Sequence, residues 1–220
     1  MLQRGFTTVR DAGGADSGHR GAVEQGLFPG PRLFVSGKIL SQTGGHGDHR
    51  AIADACSCET VAGGMSVIAD GVDAVRKAVR ENVRQGVDQI KIMGGGGVAS
   101  PGDKLVHPQY SLEEIAAIVD ETERCGRYVM AHVYSDNGIR RAVEKGVRSI
   151  EHGNFLTEDT AKVMAEFNAH LVPTLVTYQA DAKYGPGFGW SEENSTKNAE
   201  VLESGLASLE NALSAGVNVG

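Results

Sequence analysis

The chain has 220 residues, 21 Lys and Arg against 28 Asp and Glu for a net charge of −7, and 40% hydrophobic residues. That length suits one domain with a core large enough to need no disulfide or structural metal. The acidic balance gives no attraction to nucleic acid or an anionic membrane, and the apolar content excludes wholesale disorder. No apolar stretch approaches the roughly 18 residues of a membrane helix.

In chain order, Gly5-Phe6-Thr7-Thr8-Val9-Arg10 begins a strand almost at once, predicted over 6–11. Neither a basic leader nor an apolar signal segment precedes it; because the chain opens directly on a strand and Gly216–Gly220 looks like another strand cut short, it reads as a piece of a longer protein. A second strand is predicted over 32–40. From 41 to 69 the sequence is long and irregular, which in a compact domain marks a functional loop or disorder. Cys56 and Cys58 are too close for an ordinary zinc-ribbon pair and read as loop thiols. With Cys125 they make three cysteines, which argues for a reducing, cytoplasmic setting without a disulfide framework.

From Asp70 onward one unit recurs: a helical pattern ends in glycine and a β-branched run follows. Asp70 gives the start signal for a helix on which Val72, Val75, Val79 and Val83 share a face, Gly86 closes it, and a strand follows at 88–93. Ser111 and Glu114 form a capping box ahead of Leu112, Ile115, Ala116 and Val119, with Gly126 before a strand at 128–134. Ser135 or Asp136 opens a helix carrying Ile139, Ala142 and Val143; Gly146 ends it before a strand at 149–152. Asn168 takes the glycine role ahead of a strand at 170–178. Val201, Leu202, Leu206, Leu209 and Leu213 give helical spacing across 191–215, and Gly216 leads into a stub at 217–219.

Alternating strands and helices imply βαβ crossovers, an α/β class and a parallel sheet. No glycine fingerprint closes a first βα turn, which weighs against a dinucleotide fold. A complete (β/α)8 TIM barrel takes about 250 residues, so residues 1–220 are expected to form an incomplete barrel as one domain.

Reactive groups of such folds gather at the carboxyl ends of strands. Those ends hold Asp11, Lys91, His132, Tyr134, His152, Thr174, Thr177 and Tyr178. A lysine inside a parallel strand demands a partner or neutralisation. Lys91 has four readings: an ion pair with Glu151 or Asp11, a Schiff-base lysine, a phosphate anchor beside Gly94–Gly97, or a carbamate able to bridge metals. Taken alone it favours the ion pair. His132 and His152 shift that balance, because they end consecutive strands about 4.8 Å apart. Lys, His and His on three successive strands suit zinc.

Ile90-Lys91-Ile92-Met93-Gly94, Ala131-His132-Val133-Tyr134 and Ile150-Glu151-His152-Gly153 resemble the middle strands of the metal-dependent amidohydrolase superfamily. The opening Gly5–Gly14 and the loop Thr43-Gly44-Gly45-His46-Gly47-Asp48 resemble its dipeptidase branch of prolidase-like and Xaa-Arg or Xaa-Lys dipeptidases. The resemblance implies a barrel running from about strand two to strand seven plus the start of strand eight. It implies hydrolysis of amide or peptide bonds in dipeptides or N-acyl amino acids by a metal-bound hydroxide. In that scheme Lys91 is a carboxylated lysine bridging two divalent ions, zinc being expected, and His132 and His152 bind the second ion. Tyr134 steadies the oxyanion or a substrate carboxylate, and His46 touches that carboxylate.

Two departures follow. The family's strand-one His-x-His pair has no counterpart, and the chain stops before the strand-eight aspartate. At most one ion is therefore expected here, and the chain alone is expected to be inactive. A Schiff-base or phosphate-binding barrel using Lys91 is the second reading. A non-catalytic fragment is the third; its two open sheet edges would favour a second chain, including a homo-oligomer. Among the remaining candidates, Asp11 is expected to hydrogen-bond behind the site, and Glu151 to face the helices or pair with a basic residue. Gly94–Gly97 is expected to be a flexible loop, with His107 and His170 structural.

Overall fold

The structure, a computed structural model, describes residues 1–50, 53, 64–100 and 102–220; Cys56 and Cys58 lie outside the described residues. Two short parallel strands, β1 (Thr8–Arg10) and β2 (Arg32–Phe34), pair with each other. Seven more form one parallel sheet: β3 (Ile39–Ser41), β4 (Ser66–Ile68), β5 (Ile90–Met93), β6 (Val129–Val133), β7 (Ser149–His152), β8 (His170–Val172) and β9 (Asn218–Val219). Their spatial order is β4-β3-β5-β6-β7-β8-β9. The helices are α1 (Ser17–Glu24), α2 (Val72–Arg84), α3 (Leu112–Arg124), α4 (Asp136–Glu144), α5 (Glu158–Glu166), α6 (Leu175–Tyr184) and α7 (Glu192–Ser214). This is the expected incomplete (β/α)8 arrangement.

Local signals place most of these elements. Ser111 and Glu114 cap α3 reciprocally, and Ser135 caps α4. After α2 and α5 the chain turns through left-handed residues, Gly86 at φ 82 and Asn168 at φ 53, and re-enters the sheet within a few positions. Alternation along β6 then divides the layers. Val129, Ala131 and Val133 pack with Ile115, Ile118 and Ile139 in the main core, while Met130 and His132 point to the other face.

Four expectations change. The run 32–40 is two strands, because Gly37 takes φ 64 and the chain switches partners there. Before that turn it pairs with β1, and after it with β4 and β5; the Asp88 N–H donates to Val35 O at 2.8 Å between the two parts. The run 170–178 ends at Val172, because Pro173 lacks an N–H and Thr174 turns left-handed at φ 48, opening α6. Asp70 does not cap α2; Gly71 stands there, and Asp70 accepts from the Thr43 N–H and hydroxyl. Short elements β4, α1, α5 and α6 carry too little periodicity to be read locally. Among the described residues no helix is long and apolar enough to cross a membrane.

Candidate active site

Register brings the site together at the carboxyl ends of β5, β6 and β7. Lys91 pairs with Met130, and His132 pairs with Glu151, so Lys91, His132 and Glu151 share one face. Strict alternation would send His152 to the opposite face. His152 instead takes φ 77, and this left-handed turn brings its ring beside His132, centroids 4.7 Å apart. Tyr134 meets His132 edge-on at 4.9 Å and lies 5.3 Å from His152. From the loop after β3, His46 stacks on His132 at 4.3 Å with a 25° tilt. The five residues expected to form the site thus gather at this end of the sheet: His46, His132, Tyr134 and His152 ring to ring, and Lys91 on the same face, close enough to act electrostatically on the three imidazoles.

Each candidate metal-ligand imidazole has one nitrogen committed outward. His132 Nε2 lies 3.1 Å from Gly96 O, and His152 Nδ1 lies 2.6 Å from Thr174 Oγ1. The other nitrogen of each ring is left for the site, the pattern by which outer hydrogen bonds orient metal-binding histidines. Burial pushes both imidazoles well below the usual histidine value, so both are neutral and can donate a lone pair. Burial also pulls Lys91 down to about 8 against the attraction of Glu151, and His46 down to about 4. Desolvation makes the neutral amine more accessible near neutral pH, and that lone pair can attack carbon dioxide. Among the described residues no three His, Cys, Asp or Glu side chains group around a metal position. Two neutral imidazoles and an amine convertible to an anion nevertheless form a donor set that fits zinc.

Other candidates find different places. Of the two placements expected for Glu151, pairing with a basic residue holds: both its oxygens accept from a single nitrogen, Arg10 Nη2, at 2.8 and 2.9 Å. Asp11 accepts from the Gly13 and Ala15 amides and the Ser36 hydroxyl, holding a turn. Thr177 and Tyr178 lie on α6, although the Tyr178 hydroxyl reaches that of Tyr134 at 3.2 Å. The run 94–97 is neither loose nor an anion cradle, because the amides of Gly94, Gly96 and Gly97 donate to His132 O, His107 O and Asp103 Oδ2. Arg10, Ser100 and Asp103 carry no sign of such roles in the sequence, and Thr174 is marked there only by its place at a strand end; each acts across the chain, and no spacing announces it. A cavity of about 1090 Å³ lies elsewhere, lined by Phe6, Val9, Tyr128, His170 and Val172, and does not include His46, His132 or His152. The site is identified by its chemistry rather than by cavity size.

Comparison with known proteins finds relatives over the whole chain. The amidohydrolase family model matches residues 1–220. Ochratoxinase from Aspergillus niger is 35% identical over 232 residues, covering 99% of this chain and 47% of its own length. A prolidase crystallised with N-methylphosphonate-L-proline is 55% identical with a TM-score of 0.96, over 100% of this chain and 55% of that one. A Xaa-Pro dipeptidase with methionine bound in its active site is 32% identical with a TM-score of 0.86, over 98% and 54%. The chain thus spans about half the length of these relatives.

Proposed function

The chain belongs to the amidohydrolase family, and on that premise we propose that it carries part of the active site of a metal-dependent hydrolase of amide bonds in dipeptides or N-acyl amino acids. The observation that carries this reading is the meeting of His132, His152 and Lys91 on adjacent strands, each imidazole tethered on its far side. The bound proline phosphonate of the prolidase and the bound methionine of the dipeptidase support small substrates with a free carboxylate.

His132 and His152 would hold a divalent ion. The Lys91 amine adds to carbon dioxide, forming an N–C bond and releasing one proton, and the resulting carbamate supplies the anionic ligand. When bound, zinc would polarise the amide carbonyl and lower the pKa of an attacking water. Tyr134, kept protonated by burial, donates a hydrogen bond to the substrate's carbonyl or carboxylate oxygen. His46, stacked on His132, touches the substrate beside the candidate ligands, and Val98 and Leu105 pack with Tyr134 and Tyr178. Three cysteines in the chain support a cytoplasmic setting.

The test is metal content of the purified full-length protein by elemental mass spectrometry. Wild type retains zinc; Lys91→Ala loses it and regains it with an added short-chain carboxylate. Full occupancy in Lys91→Ala without that addition would sink the reading. Lys91→Met serves as the folding control: it fills similar volume without a charge and should keep the native circular dichroism spectrum while losing metal.

A further inference from the structure

We propose that Ser100 and Asp103 form a hydrogen-bonded relay that positions His46, fastened by Lys197 from α7. The catalytic consequence rests on the hydrolase reading; the relay itself does not.

The chain of contacts is continuous. His46 Nδ1 lies 2.7 Å from Ser100 Oγ, and Ser100 Oγ lies 2.5 Å from Asp103 Oδ1. The second oxygen, Asp103 Oδ2, accepts from the Gly97 N–H at 3.1 Å and from Gln109 Nε2 at 3.2 Å. Gln109 Oε1 in turn accepts the His46 backbone N–H at 3.0 Å. Both the ring and the backbone of His46 are thus traced to one carboxylate. Lys197 Nζ donates to Ser100 O at 3.0 Å and lies 3.7 Å from Asp103 Oδ1. Ser100, Asp103 and Lys197 are 3%, 9% and 8% exposed, so water cannot readily replace these partners.

Counting protons fixes the direction. A carboxylate only accepts, and the Ser100 hydroxyl has one proton, which the 2.5 Å contact assigns to Asp103. Ser100 Oγ can then only accept from the ring, so His46 carries its proton on Nδ1 and turns the Nε2 lone pair away from the relay. A buried polar network of this kind carries a desolvation penalty that apolar packing would avoid. It terminates on the ring that stacks on His132. Ser100 and Asp103 are positioning residues: they act through His46 and set its tautomer and orientation.

The experiment uses the full-length protein with nitrogen-15-labelled histidine. Ring NMR of wild type should show the Nδ1–H tautomer for His46, with loss of that single form in Ser100→Ala and Asp103→Asn and its return in Ser100→Thr. Kinetics on a dipeptide should show KM raised at least about tenfold in Ser100→Ala, with kcat within about threefold. Ser100→Ala should add nothing in a His46→Ala background. An Nε2–H tautomer in wild type, or additive effects of the two substitutions, would overturn the relay. If wild type hydrolyses no dipeptide, the substrate reading fails and the tautomer signal still decides the relay. Should Ser100→Ala not fold, Asp103→Asn gives the same comparison.

Discussion

His46 and His132 lie nearly face to face, 4.3 Å apart, and Gly97 makes this possible: a Cβ at position 97 would fall onto the His46 ring. Gly97→Ala should therefore push that ring off His132. In the full-length enzyme kcat/KM should fall at least about tenfold, whereas overpacking should lower stability by only about 1–3 kcal/mol. Steady-state kinetics alongside chemical denaturation checks both. Unchanged KM in a folded Gly97→Ala protein would mean that His46 does not touch substrate.

Arg10 and Glu151 give a second prediction. The Glu151 side chain is 5% exposed and its partner Arg10 26%, so the pair is buried mainly on the carboxylate side. Arg10→Met would strand that carboxylate with Ser149 and Lys91 alone, and should cost roughly 3 kcal/mol in urea denaturation. Glu151→Gln should cost less, because the amide oxygen still accepts from Arg10. Equal losses would show that the charge, rather than the hydrogen bond, is what holds this contact.

Alkaline pH provides a third. Tyr110 and Tyr178 are buried, and burial raises both phenols above the usual value of 10.0, Tyr178 to about 12. A group whose folded pKa is raised keeps its contribution below the unfolded value and loses it as pH climbs through the folded one. The contribution of these phenols should thus be constant below pH 10 and fall between about 10 and 12 as the unfolded chain ionises them first. Tyrosinate absorbance followed with circular dichroism should show both ionising only as structure is lost. The Tyr110 hydroxyl has no hydrogen-bond partner among the described residues, so Tyr110→Phe should stabilise by about 1 kcal/mol at neutral pH.

Much of the fold was legible because its signals are short-range. The capping box at Ser111 and Glu114 and the left-handed turns at Gly86 and Asn168 each need only a few neighbouring residues to be recognised. The candidate ligands followed from the same local information: Lys91, His132 and His152 end or interrupt β-branched runs where an apolar side chain would be the ordinary choice. The end of the run after His170 was misread because Leu171, Val172, Leu175 and Val176 look like one strand, although Pro173 and Thr174 break it.

By itself, then, the order of residues determined the parallel α/β plan and named the lysine and two imidazoles, since periodicity and capping operate within a turn or two of chain. Only the tertiary structure decided which way Glu151 and His152 point, because one left-handed residue at 152 overrides the alternation of β7. It alone joined His46 to Ser100 and Ser100 to Lys197, partners 54 and 97 positions apart. Contacts at that separation arise from how strands and loops stack, and leave no periodic trace in the chain.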